Sequence, residues 1–149
     1  MQEIIENIQH IKQRIETACL NANRNPKEIK LLLATKTVSP EGIKTALKNG
    51  VTLIAENKIQ ELKEKYEDLK NTPHINHFIG HLQSNKIKDI LKYDVACLQS
   101  LDRNELAEKL HQRLLTEHKT LEVLIQVNTS SEESKFGVTP ENTISLVQQ

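Results

Sequence analysis

Each strand-like segment of this chain is separated from the next by a helix-like one, an alternation that restricts the fold to helices packed on a parallel sheet. Ile4, Ile5, Ile8, Ile11, Ile15 and Cys19 recur at helical spacing through a polar background, which predicts a helix over 2–23 that Asn25-Pro26 stops. A strand is expected over 29–36. Pro40 then opens a helix with Ile43, Ala46 and Leu47 on its apolar face, and Gly50 closes it. Residues 51–55 read as a second strand. Ile59, Leu62, Tyr66 and Leu69 make a third helix, Asn71-Thr72-Pro73 breaks it, and a short third strand covers 77–80. Ser84 is expected to cap a helix carrying Ile87, Ile90 and Leu91, followed by a strand over 94–98. Asp102 is expected to cap a long helix built on Leu106, Leu110 and Leu114. The run 121–128 is apolar enough for a strand buried on both faces, and a last helix follows Pro140 and runs to Gln149.

Such a chain folds either as a doubly wound sheet or as a (β/α)8 barrel, and two observations favour the barrel. No Gly-x-Gly-x-x-Gly turn follows the first strand, and the whole sequence holds 4 glycines. Polar residues with usable chemistry fall instead at the C-terminal end of strand after strand: Lys36, Asn57, the Gly80-His81 turn, Ser100 and Asn128. Barrel enzymes assemble their sites on that rim. A complete barrel takes about 250 residues and eight strands, so the expectation is α/β, a partial (β/α)8 TIM-type barrel of about five units over 1–149 that five strands do not close.

Composition removes several classes of partner. With 20 Lys and Arg against 20 Asp and Glu the formal charge is zero, and no basic tract interleaved with aromatics is present to track a phosphate backbone, so nucleic acid is not an expected partner. The N-terminal helix carries Glu3 and Glu6, and no apolar run approaches the ~20 residues that span a bilayer, so no membrane role is expected. Cys19 and Cys97 lie inside regular elements without a CxxC or Cys/His pattern, which predicts buried, reduced thiols and a cytoplasmic setting. His77 and His81, four apart in an expected strand, would lie roughly 13 Å from each other, too far to share one metal ion. The Lys/Glu-rich run from Lys58 to Lys70 reads as a solvated helix face with i,i+4 ion pairs.

Lys36 closes the most apolar stretch, Ile29 to Lys36, and precedes the helix start at Thr37-Val38-Ser39-Pro40. An amine at the end of a buried strand is poorly solvated, which disfavours its charged form and suits it to Schiff-base chemistry. Position alone leaves a second reading open, in which Lys36 caps the strand and snorkels to water.

Four motifs extend the argument: Leu33-Ala34-Thr35-Lys36-Thr37; Ala55-Glu56-Asn57-Lys58-Ile59-Gln60-Glu61; the block His77 to Lys86; and Asn128-Thr129-Ser130 followed by Glu133-Ser134-Lys135-Phe136-Gly137. Together, and in this order, they resemble the pyridoxal phosphate homeostasis protein family, also called YggS-like. The resemblance implies an alanine-racemase-like barrel of the type III pyridoxal-phosphate fold, with pyridoxal 5'-phosphate held as a Schiff base on Lys36. The family's Gly-Glu-Asn-Tyr motif sets its asparagine beside the cofactor ring, which maps to Asn57; here Ala55 and Lys58 stand where the motif has glycine and tyrosine. Members are regarded as carriers or regulators of the vitamin B6 pool without established turnover. The family pattern continues beyond Gln149 with further β/α units that hold the phosphate, so the chain reads as the first part of such a barrel. A racemase-like or lysine-dependent enzyme, and an inert fragment, are the alternatives. Oligomeric state is not legible. Ser84 to Lys86 could cap a helix or touch a ligand at the rim, and Lys135 lies in a rim loop whose tight turn is assigned to Gly137.

Overall fold

Five strands lie side by side in the order in which the chain makes them, every neighbouring pair parallel. They are β1 (Leu32–Ala34), β2 (Leu53–Glu56), β3 (Ile75–Phe78), β4 (Val95–Leu101) and β5 (Glu122–Ile125). Helices α1 (Gln2–Asn21), α2 (Pro40–Lys48), α3 (Ile59–Leu69), α4 (Ile87–Lys92), α5 (Asn104–Glu117) and α6 (Pro140–Val147) precede, separate and follow them in this computed structural model, which describes residues 1–148. The consecutive order decides between the two architectures. A doubly wound sheet reverses its strand order at a switch point, whereas a strand order that never reverses keeps winding in one direction and curls into part of a (β/α)8 barrel. β1 and β5 are its edges.

Local chemistry accounts for the boundaries. Asn25 Oδ1 accepts from the Lys27 N–H at 3.0 Å and starts a 3-10 turn over Pro26–Glu28. Ser39 Oγ accepts from the Gly42 N–H at 3.3 Å, with Pro40 in the first turn of α2, and Gly50 takes φ 78° just beyond its end. Other expectations need correction. β1 spans three residues rather than 29–36, its C-terminal end turning away where the Val38 N–H closes on the Thr35 carbonyl, and β4 continues to Leu101, so Ser100 lies inside a strand. Ser84 begins a 3-10 turn, Ser84–Lys86, rather than capping α4. Nor does the Asp102 side chain cap α5; it accepts instead from Arg103 Nη1.

The apolar residues form two clusters on the helix-bearing face. Ile8, Ile43, Ala46, Val51, Ile54 and Leu69 join α1, α2, β2 and the end of α3. Leu62, Phe78, Ile90, Leu98, Leu106 and Leu110 are among those that join α3, α4 and α5 to β3 and β4. On the opposite face Ala34 and Ile75 are exposed, and no helix covers them among the described residues. β5, expected to be buried on both faces, is exposed over Glu122, Val123 and Leu124, as an edge strand with a neighbour on one side only. Cys19 and Cys97 are both buried and unpaired. No helix of the described residues is long and apolar enough to cross a membrane.

Candidate functional site

At the C-terminal end of β1 the side chains alternate: Leu33 packs against the first apolar cluster, Thr35 is buried beneath α3, and Lys36 between Thr35 and Thr37 is exposed. The expectation of a poorly solvated amine is thus corrected, because Lys36 lies two residues beyond the strand, in a turn, and is exposed. That turn is well defined. The Val38 N–H donates to the Thr35 carbonyl at 3.0 Å, and Thr37 adopts φ 65° at the third position of the four. Type II turns reserve this position for glycine or asparagine, and a β-branched residue held there is strained.

What holds it is a buried polar cluster that the sequence reading assigned to solvent. Lys65 is 8% exposed and Glu56 2%. Lys65 Nζ donates to the Thr35 carbonyl at 2.8 Å, to Glu56 Oε1 at 2.9 Å and to Glu61 Oε2 at 2.5 Å. Thr35 Oγ1 donates to Glu56 Oε1 at 2.7 Å, and the Thr37 N–H donates to Glu61 Oε2 at 3.1 Å. Burial alone would lower the pKa of Lys65, yet the hydrogen bonds to Glu61 and Glu56 outweigh it and hold the amine above its ordinary value. The hydrogen bond from Lys65, with that from the Thr37 N–H, holds Glu61 below the usual carboxylate value. Lys65 therefore stays an ammonium ion, and of these two lysines Lys36 is the one open to a ligand. A signal for this existed: Lys65 falls three residues after Leu62 and four before Leu69, on the apolar stripe of α3.

Asn57 follows β2 on the next strand of the sheet, two residues beyond the Ala34–Ala55 register pair. Its Oδ1 is buried without a hydrogen-bond partner. A buried acceptor left open costs roughly 1–3 kcal/mol, so this atom suits a ligand that brings a donor to it. Gly80 packs directly on the same turn: a Cβ there would stand 1.9 Å from the Asn57 carbonyl oxygen, a contact only glycine allows. Ser100 Oγ donates to the Gly80 carbonyl at 2.5 Å and anchors the turn to β4.

A second grouping lies further round the rim. His81 Nδ1 is 3.4 Å from Asp102 Oδ2, and its ring stacks on Phe136 with centroids 3.8 Å apart. Arg103 bonds Asp102 at 2.6 Å and the Leu82 carbonyl at 2.7 Å. Asn128, expected at the barrel mouth, instead shapes its own loop: its amide donates to the Glu132 and Lys135 carbonyls at 3.0 and 3.3 Å. Gly137 closes that loop at φ 128°, where a Cβ would stand 2.6 Å from the Asn128 backbone nitrogen, in keeping with the tight turn expected there. On the uncovered face His77 accepts from Gln99 Nε2 at 2.7 Å when its proton is on Nε2. Burial, with Lys30 nearby, pushes the His77 pKa down against the opposing pull of Glu122. Among the described residues no group of acidic, histidine or cysteine side chains could hold a metal ion. A cavity of about 170 Å³ lies behind the sheet under α3, lined by Glu56, Lys65, Tyr66, Asn76, Tyr93 and Asp94. Both tyrosines are there, edge to face at 5.1 Å and away from Lys36, with Tyr66 donating to Asp94 at 2.8 Å.

Comparison with known proteins places this geometry in a family context. The family model described as alanine racemase, N-terminal domain, matches residues 1–149. A pyridoxal phosphate homeostasis protein of Aquifex aeolicus is 42% identical over 137 residues, covering 92% of this chain and 60% of that protein. A crystal structure of an unknown protein from Bifidobacterium adolescentis superposes with TM-score 0.88 at 34% identity, over 99% of this chain and 63% of that one. PipY of Synechococcus elongatus PCC7942, solved with PLP bound, superposes with TM-score 0.74 at 26% identity, over 93% of this chain and 63% of its own. The chain thus spans about three fifths of the length of these relatives.

Proposed function

The chain belongs to the alanine racemase N-terminal domain family, and from that premise we propose that it holds pyridoxal 5'-phosphate as a Schiff base on Lys36 and serves vitamin B6 homeostasis in the cytoplasm. Asn57 is the ring-side contact in this reading. The observation that carries it is the placement, at the ends of two adjacent parallel strands, of an exposed lysine and a buried acceptor that has no hydrogen-bond partner among the described residues. PLP binding by PipY, whose fold this chain shares, supports the choice of cofactor.

Each residue has a definite task. Lys36 would hold the cofactor through its exposed side-chain amine, the group able to condense with an aldehyde. Asn57 Oδ1 receives a donor of the bound group and so orients it. The Thr35–Val38 turn keeps the amine on the rim. When bound, such a cofactor supplies an electron sink for carbanion chemistry; turnover would also need an acid-base group opposite the lysine, and Tyr66 and Tyr93 lie behind the sheet instead. We therefore assign carriage and regulation rather than catalysis.

Reduction with borohydride in the presence of pyridoxal 5'-phosphate, followed by peptide mapping, tests this. The adduct is expected on the peptide containing Lys36 and is expected to vanish in Lys36→Ala. An adduct spread over the other exposed lysines, unchanged in that variant, would refute the assignment.

A further inference from the structure

We propose that Lys65 is a positioning residue for Lys36, clamping the turn that presents it; the inference deepens the reading of Lys36 as the attachment amine and rests on it. Among the described residues the Lys36 side chain makes no hydrogen bond or ion pair, and both of its neighbours are tied to one buried ammonium ion. On one side Lys65 Nζ reaches the Thr35 carbonyl directly and shares Glu56 Oε1 with the Thr35 hydroxyl. On the other it holds Glu61 Oε2, which accepts the Thr37 N–H. The Thr35 carbonyl accepts from the Val38 N–H as well, so Lys65 bonds the same oxygen that closes the turn.

The turn needs such a clamp. Thr37 sits at φ 65°, a conformation that L residues with branched side chains reach only when their surroundings enforce it. Without the ammonium ion, the Thr35 carbonyl, Glu56 Oε1 and Glu61 Oε2 would each lose a donor, two of them in a buried setting. That loss loosens the hold on Thr35 and Thr37. The turn would then relax to negative φ at Thr37 and change how Lys36 is presented at the end of β1. A charge at this position of an otherwise apolar stripe is costly to bury, and the clamp gives it a role that packing alone does not require.

The test uses the full chain with Lys65→Met, which keeps the aliphatic stem and removes the charge, and Lys65→Arg, which restores it. Two quantities are read: the rate of borohydride-trapped pyridoxal 5'-phosphate adduct at Lys36, and hydrogen exchange at the Thr37 amide. In Lys65→Met we expect the adduct rate to fall at least tenfold and Thr37 exchange to accelerate at least tenfold, with partial recovery of both in Lys65→Arg. Combining Lys65→Met with Thr37→Gly, which makes positive φ free of strain, is expected to recover part of the adduct rate; a merely stabilising role for Lys65 would show no such rescue. A folded Lys65→Met protein that traps the cofactor within twofold of wild type overturns the proposal while leaving the attachment site standing. If wild type traps nothing at Lys36, the attachment reading fails by itself, and unchanged Thr37 exchange in Lys65→Met then overturns the clamp too. Should Lys65→Met not fold, Glu61→Leu removes the acceptor of the Thr37 N–H and leaves the Thr35 side in place, and an unchanged adduct rate in that variant is equally decisive.

Discussion

Replacing Gly80 by alanine sets two opposed effects against each other, and the structure says which prevails. At a site with no steric objection, glycine to alanine stabilises a protein by about 0.4–1 kcal/mol, because the unfolded chain has fewer conformations to lose. Here the new methyl carbon would stand 1.9 Å from the Asn57 carbonyl oxygen and 2.6 Å from its carbon, both backbone atoms with no rotamer to escape into. A contact at van der Waals distance needs well over 3 Å, so the turns after β2 and β3 must separate by more than 1 Å. Overpacking of this kind costs about 1–3 kcal/mol. The displacement also pulls the Gly80 carbonyl from Ser100 Oγ, a buried bond of 2.5 Å whose loss adds about 1–3 kcal/mol. Subtracting the entropic gain leaves a net loss of about 1–6 kcal/mol, set against the roughly 5–15 kcal/mol typical of a whole domain. Urea denaturation with a shared m-value measures it directly. Because the strain falls on the Asn57 turn, trapping of pyridoxal 5'-phosphate at Lys36 is expected to weaken as well. A Gly80→Ala protein within 0.5 kcal/mol of wild type would show that the two turns are not locked together and that Asn57 is not held in place as argued.

The same clamp that positions Lys36 makes stability depend on pH in a defined window. Glu61 is held below its ordinary value of 4.5, so its contribution is complete above that value and fades as the pH falls through the lower folded one. Lys65, raised above 10.5, contributes fully below that value and loses its contribution as the pH rises through the higher folded one. Melting temperature against pH should therefore fall on both flanks, with a shallower acid flank in Glu61→Gln; identical acid flanks would remove Glu61 from the clamp. Leu98, fully buried between β4 and the helices, should cost about 2–5 kcal/mol as Leu98→Ala in the same denaturation assay, while Leu115→Ala on the exposed face of α5 should stay within about 0.5 kcal/mol. Burial and the nearby Glu122 push the Cys97 thiol up, so the native protein should react with a thiol reagent at neutral pH far more slowly at Cys97 than the unfolded chain does.

Much of the candidate site was readable before any coordinates, and the reason is local. Lys36 and Asn57 each end an apolar run and precede a helix, and in a chain of alternating strands and helices that position always falls on the same rim. The buried cluster behind them was missed because the charged run 58–70 was weighed by composition. Its solvated reading holds for Glu64, Glu67 and Lys70, which are exposed, and fails for Lys65, whose place between Leu62 and Leu69 turns it inward. The spacing of Asp102 before Leu106 fits a cap, but its carboxylate is taken by Arg103, next in sequence, with His81 brought within 3.4 Å from beyond the neighbouring strand. The stacking of Phe136 on His81 joins residues 55 apart in the chain, and no periodic pattern announces it.

By itself the sequence determined that this chain builds parallel strands joined by helices and that a lysine and an asparagine stand at their carboxyl ends. Periodicity, glycine and proline act over a few residues, and they are written in the chain directly. Only the tertiary structure decided that the strands pair in unbroken consecutive order, that Lys36 is open to solvent, and that Lys65 is drawn beneath it as the buried counter-charge to Glu56 and Glu61. Those outcomes rest on which distant groups meet out of water, where an unpaired charge is too costly to keep and a paired one becomes a fastening.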